Sequence, residues 1–277
     1  MTIDLPAGHG ARVTSHKLDV TNGRLHAFIR LVVVVATVLA LPAESFAQVK
    51  VIISGGFSAA FRDVLPDFER TTGVTVKATS GASQGSDPNT IGAQLRRGVP
   101  ADVVIMNRVG LNDLIAEGRI IAGTDVELAS TSLGVAVRAG APRPDISTVD
   151  AFIQTLLRAK SVTFDSSTTG IYLMTTLFPR LGIADAMAGK STTAGVASVA
   201  SGEAEIAVQP VSEILPVRGV VLVGIIPPEV QYVAVFAAGI VKGSSEIDGA
   251  KRLIAFLTSE SAAAAIKKSG MESPRRR

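Results

Sequence analysis

From Val49 onward, short apolar runs alternate with stretches in which apolar residues recur every three or four positions. VKVII predicts a strand, and the segment after it carries Phe61, Val64, Leu65 and Phe68 at helical spacing. VTVKAT (Val74 to Thr79) and ADVVIM (Ala101 to Met106) predict two more strands. Between them Thr90 to Arg97 predicts a helix, with Asp87-Pro88 as its start signal, and Leu111 to Glu117 a shorter one closed by Gly118. A second set follows. Ser132 to Gly140 reads as a strand, Val149 to Leu157 as a helix, Ser161 to Phe164 as a strand, and Gly170 to Leu181 as a helix broken near Pro179. EIAV (Glu205 to Val208) reads as a strand, the chain runs on through LPVRGVVLVGIIPPEV and YVAVFAAGIV, and Ile247 to Leu257 and Ser261 to Lys268 close it as helices. Such alternation predicts an α/β fold with parallel-rich sheets covered by helices, in two lobes of about 100 residues each.

Ahead of this pattern, Leu31 to Leu41 (LVVVVATVLAL) is an apolar run too short to span a bilayer comfortably. Arg24 and Arg30 precede it, and Ser45 and Ala47 supply small residues before Gln48, so 1–47 is expected to be a signal peptide addressing the chain to the periplasm. All three histidines (His9, His16 and His26) lie in that leader, and the whole chain has no Cys and no Trp. The mature chain therefore has no His-dependent nucleophile system, no His/Cys zinc site and no disulfide, and neither metal nor cofactor is expected. A net charge of +3, with scattered basic residues and a short SPRRR ending, gives no nucleic-acid stripe.

Three strand-to-helix turns share one composition: Ser54-Gly55-Gly56-Phe57-Ser58, Ser80 to Ser86 (SGASQGS), and Asp165 to Gly170 (DSSTTG). Ligands of parallel α/β sheets collect beyond the carboxyl ends of strands, where such turns lie. Bare amides at helix starts favour an anion, with Gly allowing close approach and hydroxyls adding donors. Each turn alone also reads as ordinary capping. The expected ligand-binding residues are Ser54, Gly55, Gly56 and Phe57; Ser83, Gln84 and Gly85; Ser166, Ser167, Thr168 and Thr169; and Arg108, Gln209 and Ser212.

SGGFSAAFRDVLPDFERTTGV, LRRGVPADVVIM and GEAEIAVQPVSE resemble the periplasmic solute-binding proteins of ABC importers, in their molybdate-binding-like group. The resemblance implies a two-lobed type II binding-protein fold in which the chain crosses twice between lobes. Lobe I would hold 48–131 plus 232–277, and lobe II 132–231. Gly56 stands where that group carries a ligand-binding serine, and Gln209-Pro210 where it carries a tyrosine. SGGF, Gly81-x-Ser83-x-Gly85, SSTTGIYL and QPVSEILPV resemble more closely an offshoot of the group that includes aconitate isomerase.

Two functions follow from the resemblance. One is a monomeric receptor that closes on a small oxyanion or carboxylate and presents it to an ABC permease. The other is a cofactor-independent isomerase that shifts an allylic proton in aconitate. The latter needs a base without histidine, and Glu213 is the first candidate, Tyr172 the second, with Asp165 also within reach. Structural readings stand beside these: Glu213 complementing a helix dipole, Asp165 as a cap, Tyr172 in the core or between lobes. Arg108, at the end of ADVVIM, is either a carboxylate fork or a solvated loop residue.

Overall fold

The computed structural model describes residues 48–274; the expected signal peptide over 1–47 and the last three arginines lie outside them. Strand β1 (Gln48–Ile53) turns at Ser54 into helix α1 (Gly55–Thr72). Phe57, Ala60, Phe61, Val64 and Phe68 recur at helical spacing and bury one face against the sheet. Gly73 ends α1 in the left-handed region. β2 (Thr75–Ser80) follows, then α2 (Ile91–Arg96), β3 (Val103–Asn107) and α3 (Arg108–Ala116). β1 lies between β2 and β3 and is parallel to both. α2 is capped by the Thr90 hydroxyl, three residues past the Asp87-Pro88 start signal.

β4 (Val126–Arg138) is longer than its predicted span because it serves two sheets. Its residues Val126–Ser132 pair with β9, and Leu133–Arg138 pair with β7 and β8, all antiparallel. The second half then contains α4 (Val149–Arg158), β5 (Val162–Thr163), α5 (Thr168–Tyr172), α6 (Ala184–Ala188), β6 (Ser191–Thr192), α7 (Ala197–Ser201), β7 (Ile206–Pro210), α8 (Val211–Ile214) and β8 (Val220–Ile225). The predicted break at Pro179 takes another form. α5 runs into a π turn (Leu173–Leu177), where the Phe178 N–H reaches Leu173 O, before a last turn (Phe178–Arg180). Proline has no N–H to return to the previous turn, and the widened turn lets the helix continue.

β9 (Val233–Ile240) returns to the first sheet between β3 and β4, and α9 (Ile247–Leu257) and α10 (Glu260–Lys268) finish the chain. β9 enters directly from the other half rather than through a helical crossover, so it lies antiparallel to β3. The parallel character expected from strand–helix alternation therefore holds for β1–β3 and for β5–β7, but not at the centre. The result is the two-lobed type II binding-protein architecture, each half with apolar side chains on both faces of its sheet.

The two crossings are pinned by one side chain. Gln231 Oε1 accepts from the Leu133 N–H (2.7 Å), while its Nε2 donates to Leu133 O and Ile226 O (3.1 Å each). Tyr172 and Tyr232 stack beside this joint, with centroids 4.8 Å apart.

Gly56 carries a specific packing demand. A Cβ there would lie 2.0 Å from Cζ of Phe236 on β9, whereas one at Gly55 would meet only Glu213 Oε1 at 3.6 Å. Gly56→Ala is expected to cost about 1–3 kcal/mol by overpacking, and Gly55→Ala within about 0.5 kcal/mol. Urea denaturation midpoints of the two variants check the contrast.

Candidate functional site

Ser54 caps α1 in extended conformation, yet its side chain makes no capping hydrogen bond. Its Oγ is buried and unpartnered among the described residues. Helix α1 thus presents a bare N-terminus, with its positive dipole end, to the space beyond the strand ends. Ser167 caps α5 in the same way, again without a side-chain bond to the helix. Asn107 caps α3 by accepting from the Val109 N–H (3.0 Å), and Pro210 precedes α8. All four N-cap residues line one cleft of about 490 Å³.

The second turn supplies another wall through Ser80, Gly81, Ala82 and Ser83. Ser83 Oγ accepts from the Asn107 N–H (2.9 Å), and Gln94 Nε2 holds the turn by donating to Ser80 O and Asn89 O. The third turn brings Asp165, Ser166, Ser167, Thr168 and Thr169 from the other half. Ala234 and Phe236 of β9 give the cleft an apolar side, and Glu213 of α8 completes it. Among the described residues lining the cleft there is no Lys, Arg or His.

Two carboxyls therefore share a cleft without a cation. Burial and the neighbouring Asp165 carboxyl push Glu213 up to about 8. Asp165 is also raised by burial, but the backbone N–H groups of Ser167 and Gly170 and the side chain of Gln209 act against that rise. The Ser167 N–H donates to Asp165 Oδ1 at 2.9 Å. At neutral pH Glu213 therefore favours its protonated form, while the donors around Asp165 work towards ionisation against the rise that burial imposes.

Of the residues expected from sequence, Ser54, Gly55, Ser83, Asp165, Ser166, Ser167, Thr168, Thr169 and Glu213 line the cleft. The others do not. Gly56 packs under Phe236, and Phe57 is fully buried in the core. Gln84 bridges the halves instead: its N–H donates to Ser167 Oγ (3.1 Å), and Thr168 Oγ1 donates to its Oε1 (3.0 Å). Gly85 (φ +114°) lies so close that a Cβ would be 3.0 Å from Ser166 O. Arg108 turns away from the cleft, held by Asp125 (2.8 Å) and near Glu127 (3.7 Å), because it starts a helix rather than ending a strand. Gln209 and Ser212 are buried behind the wall, each with an unpartnered oxygen among the described residues. Tyr172 stacks on Tyr232, and its hydroxyl donates to Val230 O (3.4 Å), so it stands outside the cleft as a packing group.

Sequence reasoning missed Asn107, Asn89, Gln94 and Phe236 as wall residues. Asn107 had a usable signal, as the polar residue ending an all-apolar strand. Phe236 had none, since its place depends on β9 inserting beside β3.

The profile of the family described as "Bacterial extracellular solute-binding protein" matches residues 49–272. An aconitate isomerase from a Pseudomonas species is 37% identical over 236 residues, covering 84% of this chain and 90% of that protein. Among solved structures, the periplasmic molybdate-binding protein of Azotobacter vinelandii superposes with a TM-score of 0.66 at 21% identity, covering 82% of this chain and 100% of that one. The sulfate-binding protein SubI of Mycobacterium tuberculosis gives 0.62 at 18% identity, covering 83% and 88%. At these identities the two structures speak for the fold.

The carboxyl pair has a consequence for stability. Both groups are raised when folded, so the folded protein keeps a proton that the unfolded chain has released. Stability is thus full below the ordinary carboxylate range and falls as pH climbs towards about 8, by at most about 1.4 kcal/mol per pH unit for each proton retained. Melting temperatures from pH 5 to 9 should decline in the wild type and decline less in Glu213→Gln; equal slopes would contradict this.

Proposed function

The chain belongs to the bacterial extracellular solute-binding protein family, and from that premise we propose that its cleft binds a small organic polycarboxylate and isomerises it by an allylic proton shift, as in the interconversion of cis- and trans-aconitate. The observation that carries this reading is the Asp165–Glu213 pair inside an otherwise neutral, hydroxyl-rich cleft. A site that only holds an oxyanion gains nothing from two carboxyls beside it, since each repels the ligand when ionised. A proton shift needs groups that exchange protons near neutral pH, and a raised carboxyl is one. The 37% identity to an aconitate isomerase over most of both chains supports the same choice.

The reaction needs no redox partner. A proton leaves one carbon, the double bond moves by one position, and a proton arrives at the far carbon. Negative charge grows on the adjoining carboxylate as the first bond breaks. The bare start of α1 and the hydroxyls of Ser54 and Ser83 are placed to receive it. Ala234 and Phe236 suit the carbon skeleton, and about 490 Å³ lies in the range of clefts for organic ligands.

A second reading, a periplasmic receptor feeding an ABC permease, is favoured by one observation. Gln84 already joins the two halves through Ser167 and Thr168, the kind of closure that a transporter recognises. In both readings the chain acts as a monomer in the periplasm on a small anion.

A thermal-shift panel of molybdate, sulfate, citrate and cis- and trans-aconitate, with an ultraviolet assay of aconitate turnover, separates them. The isomerase reading expects trans-aconitate both to stabilise the protein and to be converted. In Glu213→Gln, kcat should fall by about 10²–10⁴ while the stabilisation persists. Stabilisation by molybdate alone, without turnover, would leave the receptor.

A further inference from the structure

An allylic shift takes a proton from one carbon and gives one to another, so the site must offer an acceptor and a donor. Two carboxyls lining the same cleft can divide these roles. Their surroundings are unequal. Asp165 Oδ1 accepts from the Ser167 N–H at 2.9 Å, and the Gly170 N–H and the Gln209 side chain also donate to this carboxyl. These donors favour its ionised form against the burial that raises it. Glu213 is raised by burial and by the Asp165 charge, and its Oε1 lies against Gly55 at the start of α1.

Resting on the isomerase reading, we infer that Asp165 is the proton acceptor and Glu213 the proton donor of a two-carboxyl relay, the pair carrying one proton through every turnover. The Asp165 carboxylate takes a proton from the allylic methylene. The C–H electron pair becomes the new double bond, and the electrons of the old one take the Glu213 proton at the far carbon. Asp165 then holds a proton and Glu213 none, and transfer of that proton from Asp165 to Glu213 within the cleft restores the starting state. Atoms and charge balance with no further reactant.

The relay differs from catalysis by a single base in what alkali does. Around the pair, Ser54 and Gly55 from α1, Gln209 from β7 and the hydroxyls of the third turn carry no charge. Among the described residues lining the cleft, no other charged group faces it, and Arg108 is engaged with Asp125 and Glu127. Nothing else there replaces a proton lost from the pair. A lone base grows more active as it ionises, whereas the relay stops once both carboxyls are ionised.

The test is the pH profile of kcat for the wild-type protein with trans-aconitate. The relay predicts a bell whose alkaline limb falls about tenfold per pH unit above roughly pH 8, with solvent deuterium on the newly protonated carbon of product formed in D2O. Asp165→Asn should lower kcat by about 10²–10⁴, with KM within a few-fold and the trans-aconitate thermal shift retained. A rate that climbs through pH 8 and holds, or full turnover by Asp165→Asn, overturns the relay while leaving the isomerase reading intact. Absence of aconitate turnover in a protein that still binds trans-aconitate overturns both. The wild-type profile requires no variant, so misfolding of Asp165→Asn would not shelter the relay.

Discussion

The cleft concentrates the positive ends of helices and the hydroxyls of three turns, yet the described residues lining it include two carboxyls and no Lys, Arg or His to neutralise them. Such a site admits an anion only if the carboxyls do not both ionise, because two like charges close together in a poorly solvated wall repel each other and the guest. In the proposed function, binding and chemistry therefore both depend on a proton shared between Asp165 and Glu213. Everything that shapes the pair comes from the fold. α8 begins directly after β7 and carries Glu213 under the start of α1, while the β5–α5 turn supplies Asp165 together with the donors that hold it.

The fold serves this arrangement through its central strands. β4 passes from one sheet to the other, and β9 returns beside it, so both halves meet along a short joint clamped by Gln231. Gln84 closes the opposite rim by reaching Ser167 and Thr168. The cleft is then bounded by two connections of different character: a backbone joint and a polar contact that can part. A receptor and an isomerase can share this scaffold because both must admit an anion and exclude water, and they differ in whether groups inside exchange protons.

Much of this was legible in the sequence. Apolar patterning located β1, α1, β3, α9 and α10 to within a few residues, because the helices bury one apolar face and the two strands are apolar runs buried on both faces of their sheet. The three Ser/Gly/Thr turns were visible from composition and do meet in one cleft. What sequence hid were relations between distant segments. Arg108 sits where a ligand fork would be useful, but Asp125 and Glu127, folded back beside it, claim its guanidinium. Gln84 carries the composition of a ligand-binding turn and spends it on the other half. Phe236 becomes a wall of the site only because β9 slots in antiparallel to β3, which also explains why Gly56 has no side chain. Asp165 read as a cap and is one, accepting from Ser167, but its second partner lies 48 residues on and cannot be read locally.

Carboxyl-carbon NMR of the protein labelled at Asp and Glu, titrated from pH 4 to 10, tests the shared proton most directly. The account predicts one proton retained by the Asp165–Glu213 pair at neutral pH and released near pH 8, a step that disappears in Glu213→Gln. Both carboxyls fully ionised by pH 6 would contradict it.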